Sequence, residues 1–322
     1  MNSGNFQDRR QKAWQELDQM IESVETGKPM PGVEELPKKF REACSDLALA
    51  NHRMYGGSVI ARLNDLVIRG YKLLYRSRRK GSESFVRFVG VTFPATVRRE
   101  WRLFWLCSAM FWVPFFGMMW MAQVNIDWVQ SILGPEGMAG MEQMYGGKEE
   151  QISHLRSEYG SNFRMFAFYI ENNVGIDFRV FAGGIVAGLG TIFFTVYNGL
   201  MLGASAGYVN YACNPESFWT FVAGHSSFEL LGLVVAAMAG MRLGMGVLKP
   251  GRMSRGKAIA ASAKQSLPLI FGAAGMTTLA AVVEGFWSGQ DLPSMVKYGF
   301  GIAMWVLHIA YFMLLGRGER EA

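Results

Sequence analysis

Five stretches of this 322-residue chain run for twenty residues or so with almost no charge. About twenty apolar residues is the helix length that crosses the ~30 Å hydrocarbon core of a bilayer. The stretches are LFWLCSAMFWVPFFGMMWMA (103–122), FAGGIVAGLGTIFFTVYNGLMLGASAGY (181–208), SFWTFVAGHSSFELLGLVVAAMAGMRLGMGVL (217–248), SLPLIFGAAGMTTLAAVVEGFW (266–287) and YGFGIAMWVLHIAYFMLLG (298–316). Inside lipid each backbone N–H and C=O must find its partner within the protein, so such runs become helices. No strand alternation or hairpin signal is visible. The expected fold class is all-α: a polytopic membrane helix bundle over residues 102–322, with five or six membrane segments, some broken or re-entrant. The polar first forty residues hold no cleavable signal, so the first apolar run is expected to act as an uncleaved anchor.

Residues 1–101 carry dense charge and read as an N-terminal cytosolic helical domain. Phe6, Trp14, Leu17, Met20 and Ile21 recur at helical spacing, and so do Ile60, Leu63, Leu66, Val67 and Leu73. GKPMPG (27–32) and Gly56–Gly57 interrupt the pattern. The basic YRSRRK (75–80), with Arg87, Arg98 and Arg99, suits either anionic lipid headgroups or a plain solvated face beside the bilayer.

Charge sets the expected sidedness. Arg98, Arg99 and Arg102 precede the first span, so the N-terminus is expected in the cytoplasm. Residues 123–178 carry more acid than base and are expected mostly as an extracytoplasmic loop with an interfacial helix at NFRMFAFYIENN. The loop KPGRMSRGKAIAASAK (249–264) has five basic residues and no acid, which places it inside. An odd number of crossings must then lie between residues 180 and 248, where only two apolar regions are visible. One element re-enters, or residues 199–224 or 162–178 add a crossing, or this loop departs from the charge rule. Gly224 and the His-Ser-Ser after it form a plausible break point.

Small residues recur every fourth position at Gly232, Ala236, Gly240 and Gly244, and at Gly199, Gly203 and Gly207, with Gly184 and Gly188 before them. Such stripes let helix backbones approach closely. Packing within the chain is the expected use; a homo-oligomer face is the alternative. Helical rise then gives depth. Glu229 lies twenty residues before Lys249, and Glu284 twenty residues after Lys264. At 1.5 Å per residue both reach about 30 Å from a shared inner surface. His225 stands one turn beyond Glu229, and Asn172 and Asn173 precede the second region on the same side. An intramembrane polar cluster of Asn172, Asn173, His225, Glu229 and Glu284 is therefore expected at the outer level. Asn198 and Arg242 are expected near the inner face, with Arg242 too far along the axis to pair with Glu229.

Ionisable groups in spans are costly and often functional. The cluster reads as a hydrogen-bonded clasp between helices, or as a proton or ligand relay. One His and two carboxylates make a thin zinc set and no HExxH occurs, so no metal ligand is assigned. Cys44, Cys107 and Cys213 lack metal or disulfide spacing. No phosphate loop, nucleophile elbow or catalytic dyad is present, so no catalytic residue, no cofactor and no enzymatic activity are expected. The net charge of +6 comes from basic residues flanking apolar runs, which argues for a membrane surface rather than nucleic acid.

The motifs ENNVGIDFRVFAGGIVAGLG (171–190), YNGLMLG (197–203), GHSSFE (224–229), AGMRLG (239–244) and VVEGFW (282–287) resemble, in order, those of the stage II sporulation protein M family. LNDLVIRGYKLLYR and FPATVRREW resemble the longer, non-sporulating bacterial members. One departure stands out: Gly224 and Ser226 flank His225 where family members usually carry Pro and Gly. The resemblance implies a non-catalytic protein of the bacterial inner membrane, whose relatives hold together peptidoglycan-remodelling machinery. It also implies soluble partners, a MoxR-type AAA+ ATPase or von Willebrand factor A domain proteins. A scaffold recruiting such partners is the first functional expectation. A transporter- or permease-like component using the outer polar cluster is the alternative.

Overall fold

The computed structural model describes residues 3–26, 31–75, 81–146 and 162–317. The basic run 76–80, most of the GKPMPG breaker and His154 lie outside the described residues. Within them every regular element is helical. The chain divides into two compact units, residues 1–83 and 84–322. Residues 88–99, expected with the first unit, pack instead on the C-terminal helix. The Tyr311 hydroxyl donates to the Val89 carbonyl at 2.6 Å, and the Phe93 and Phe312 rings meet edge to face.

The first unit is built from α1 (Ser3–Thr26), α2 (Leu36–His52) and α3 (Gly57–Tyr75). Their apolar stripes close on one core of Phe6, Trp14, Leu17, Ile21, Ala43, Leu63 and Leu66. At its centre Asp46 accepts 2.8 Å hydrogen bonds from the Trp14 indole and the Arg10 guanidinium. The buried carboxylate is thus both paired and hydrogen-bonded, the condition for tolerating it there. Arg69 ties α3 to α1 through Asp18 and Glu25.

The second unit begins with short helices α4 (Gly81–Arg87) and α5 (Phe93–Arg99), followed by α6 (Trp101–Val124) and α7 (Asp127–Tyr145). Then come α8 (Asn162–Tyr169), α9 (Gly175–Ala182), α10 (Leu189–Ala212), α11 (Pro215–Ala223), α12 (Ser226–Leu248), α13 (Arg255–Val283) and α14 (Ser294–Leu314). Five helices are long and apolar enough to cross a membrane: α6, α10, α12, α13 with the π turn that follows it, and α14. The most enclosed is α12, with 72% of its best window buried inside the protein. The others turn residues such as Trp105, Phe116, Phe193, Phe271, Ile302 and Val306 outward, as lipid-facing helices do.

Glycine contacts fix the direction of each passage. Gly199, Gly203 and Gly207 of α10 lie against Phe111, Phe115 and Met119 of α6, so the two helices run parallel. Gly232 faces Thr277 while Gly246 faces Ser262, so α12 and α13 run antiparallel. Gly184 sits on Gly240, and Gly188 on Gly244, so residues 175–188 run parallel to α12. Along α14, Gly301 meets Ala223, Trp305 donates to Ser226, and the carbonyl of Phe312 accepts from Arg98. The described residues therefore traverse the bundle six times. The end where α6 starts is here the near end, the opposite one the far end.

The additional passage is residues 162–188, which resolves the parity conflict of the sequence. It is broken by a π turn at Ile170–Val174 and by a tight turn at 183–188, where Ala187 and Gly188 have φ of 51° and 84°. With Arg164, Glu171, Asp177 and Arg179 on it, no window is apolar enough to declare a span. Two expected boundaries change accordingly. Residues 162–178, one of the candidate extra crossings, are part of the bundle rather than of an external loop. Residues 181–188 finish this passage, so α10 starts only at Leu189. The region 217–248 is two helices, α11 and α12, parted at the expected break point Gly224–His225.

A side chain at Gly240 would enter space held by Val180 and Thr191, whereas a Cβ on Gly275 would meet nothing within 4 Å. Gly240→Val is expected to lower the folded yield in detergent and, where protein survives, to cost at least about 3 kcal/mol. Gly275→Ala is expected to match or slightly exceed the parent, since Ala is the better helix former by up to ~1 kcal/mol in water. Fluorescence-detected size exclusion and thermal unfolding of both variants check the pair.

Candidate functional site

Polar residues of four elements converge at the far end of the bundle. His225 is the N-cap residue of α12 and is 3% exposed. Glu229 follows one turn later on the same face. Glu284 opens the π turn that ends α13, and Asn173 is buried in the π turn of the additional passage. A π turn adds a residue to the helical repeat and re-aims side chains, which is why such turns gather at functional sites. Donor atoms of His225, Glu229 and Glu284 all lie within 4.8 Å of one another.

The hydrogen bonds around them are few. His225 Nδ1 lies 3.0 Å from the Ser288 hydroxyl. Its Nε2 faces the Glu229 carboxylate at 3.8 Å, too long for a hydrogen bond. The Asn173 amide donates to Glu284 at 3.5 Å and accepts from Asn172 at 2.8 Å. The Lys297 ammonium donates to the Ser288 carbonyl at 3.1 Å, fixing the turn that carries Ser288. At Gly224 the Trp287 ring occupies the space a Cβ would need. The break before His225 is therefore made by an aromatic plug against a bare backbone, which accounts for glycine at this position.

Beside Glu229 a cavity of about 80 Å³ opens, with room for several waters. Asn172, Asn173, Asp177, Asn198, Glu229 and Thr277 supply its polar lining, with Ile176, Leu202, Leu230 and Leu233 between them. Asp177 was not singled out from the sequence. It is 1% exposed and accepts a 2.5 Å hydrogen bond from Thr277. Its signal was an acid four residues after Asn173, one helical turn on, hidden because that segment was read as a loop.

The structure thus brings Asn172, Asn173, His225, Glu229 and Glu284 together. Asn198 departs from its expected place: it lines the same cavity rather than the near end. The reason is direction: residues 162–188 cross first, so α10 rises from the near end at Leu189 instead of descending from the far end, and Asn198 lies about halfway up it. Arg242 lies at the near end, 3.5 Å from Glu100 and 2.6 Å from Gln265. The glycines pack inside the chain, but on different partners. Gly199 and Gly203 face α6, Gly232 faces α13, and Gly184 and Gly188 face Gly240 and Gly244.

This is a polytopic helical membrane protein with a cluster of one buried histidine and two half-buried carboxylates, preceded by a helical unit with its own core. Residues 104–289 match the family Stage II sporulation protein M, more than half of the chain, and the protein belongs to that family. Residues 4–76 match a family described as a domain of unknown function, DUF8413. Comparison with curated proteins and with solved structures gave no match.

Thr277 is the one hydrogen-bond donor to Asp177 among the described residues. Thr277→Val keeps the shape and removes that donor, and is expected to destabilise the bundle by about 1–3 kcal/mol. Thr277→Ser is expected to restore most of it. Thermal unfolding of the detergent-solubilised variants reads the difference.

Proposed function

We propose that this protein is a non-enzymatic scaffold of the bacterial inner membrane. The N-terminal helical unit recruits soluble partners, and the bundle engages envelope or peptidoglycan-remodelling machinery. The observation that carries this reading is the closure of the near half of the bundle. The polar cavity goes no deeper than Asn198, Leu202 and Leu233. Beyond it Gly240 rests on Gly184 and Thr191, Gly244 on Gly188, and Gly246 on Ser262. Among the described residues these contacts bring backbones together along α12, and a packed interior resists opening. A bundle so built serves as a rigid anchor.

Charge supports the orientation. The near end carries Arg98, Arg99, Arg102, Lys249, Arg252, Arg255 and Lys257, and the far end Asp127, Glu136, Glu216 and Asp291. Positive residues stay on the cytoplasmic side, so the near end and the N-terminal unit joined to it belong to the cytoplasm. The family resemblance suggests a MoxR-type AAA+ ATPase or a von Willebrand factor A domain protein as the partner. The far-end cavity favours a second reading, a permease-like component in which Glu229 relays protons or solute.

Reconstitution separates the two. The scaffold reading expects proteoliposomes to pass protons and small solutes no faster than empty vesicles. Flux that disappears in Glu229→Gln, with normal assembly, would replace it with the permease reading. For orientation, single cysteines at Gly256 and Leu292 in a chain lacking Cys44, Cys107 and Cys213 are treated with an impermeant thiol reagent. Labelling from outside is expected at 292 and not at 256; the reverse pattern would invert the topology.

A further inference from the structure

We infer that His225, Glu229 and Glu284 form a binding site for one divalent cation of the zinc class. The site pins the start of α12 to the π turn after α13. The inference is independent of the scaffold reading and stands on geometry.

Two carboxylates and an imidazole present donor atoms no more than 4.8 Å apart, the imidazole buried and both carboxylates half-buried. Neighbouring carboxylates removed from water repel strongly unless a cation or a proton lies between them. The protein supplies little relief. Among the described residues the Glu229 carboxylate accepts no hydrogen bond, and Glu284 accepts one long one from Asn173.

The imidazole is the second, separate pointer. The His225 side chain is 4% exposed, and its Nε2 is aimed at the two carboxylates without a hydrogen-bond partner among the described residues. Its other nitrogen is held by the Ser288 hydroxyl. When Nδ1 carries the proton and donates to Ser288, Nε2 keeps its lone pair directed into the cluster. A metal-binding histidine is oriented in this way, with one ring nitrogen engaged by a protein oxygen and the other left for the ion. Glu284 is steadied in turn by the Asn173 amide.

The donor set selects the ion. Imidazole with carboxylates suits zinc and its first-row neighbours, whereas calcium and magnesium prefer oxygen alone. A tetrahedral ion with bonds of about 2.1 Å places its donors about 3.4 Å apart. The widest separation, 4.8 Å, has to close by about 1.4 Å for all three to bind one ion. The fourth position opens on the cavity side, where Glu229 borders the space shared with Asp177 and Asn173, so water completes the coordination. With three protein ligands on two helices, the ion closes a join otherwise held by Ser288 and the Trp287 plug.

The test uses the full-length protein without an affinity tag, purified in detergent free of chelator. Elemental analysis after zinc loading and desalting is expected to find about one zinc per chain. Stripping with a chelator is expected to lower the melting temperature, and micromolar zinc to restore it, as an ion bound only by the folded state must do. His225→Ala and Glu284→Gln are expected to lose both the metal and the shift. Glu216→Gln, whose carboxylate bonds Ser294 elsewhere at the far end, is expected to keep both. Should His225→Ala fail to fold, Glu284→Gln carries the test, since it keeps the side-chain shape. Less than about a tenth of an equivalent after loading, with no thermal shift, overturns the site; so does full loading of folded Glu284→Gln.

Discussion

The bundle depends on backbone meeting backbone between residues 183–190 and the near half of α12. Gly184 lies on the Gly240 carbonyl, Gly244 on Gly188, and Gly183 on Gly190. Without a hydrophobic drive between helices in lipid, this contact must come from close packing and from internal hydrogen bonds. The turn meets the second requirement itself. Gly188 donates to Gly184 and Leu189 to Val186, each at 2.9 Å, while the Thr191 hydroxyl donates to the Val180 carbonyl at 2.7 Å. A chain reversal satisfied in this way can sit against α12 where an open loop could not.

That contact explains why a segment as polar as residues 162–182 can cross at all. Two of its polar side chains, Asn173 and Asp177, are buried, while Arg164, Glu171, Asn172 and Arg179 stay exposed. Asp177 meets Thr277, Asn173 meets Glu284, and Asn172 meets Asn173. The glycine seam draws the passage against α12 at one end, and the polar contacts hold it to α13 at the other. The same asymmetry sets close backbone packing in the near half against a polar cavity in the far half. Glycine seam and polar cluster are thus two consequences of one packing arrangement.

Much of this was legible in the residues. Windows of apolar sequence located α6, α14 and the C-terminal ends of α12 and α13 to within a few residues, because lipid imposes both length and composition on them. The level shared by Glu229 and Glu284 followed from helical rise, counted from Lys249 and Lys264. Local pattern failed where the chain breaks the rules that patterns encode. The crossing at 162–188 stayed one candidate among several because of its charges, and Asp177 was passed over with it. Asn198 was placed too low because the glycine-rich stretch 181–188 reads as the start of a helix when it is the end of a passage. The boundary at residue 83 was missed because the helical residues up to 99 continue the composition of the first unit while packing on α14.

The sequence by itself determined a helical membrane protein, its principal spans and the depth of its carboxylates. Those follow from length, hydropathy and the fixed rise of a helix, which are properties of one segment at a time. The tertiary structure alone decided the number of passages, the partner of each glycine and the pairing of His225 with Ser288. These are relations between segments far apart in the chain. No local propensity encodes them; they appear only when a polar passage finds enough partners inside the protein to leave water.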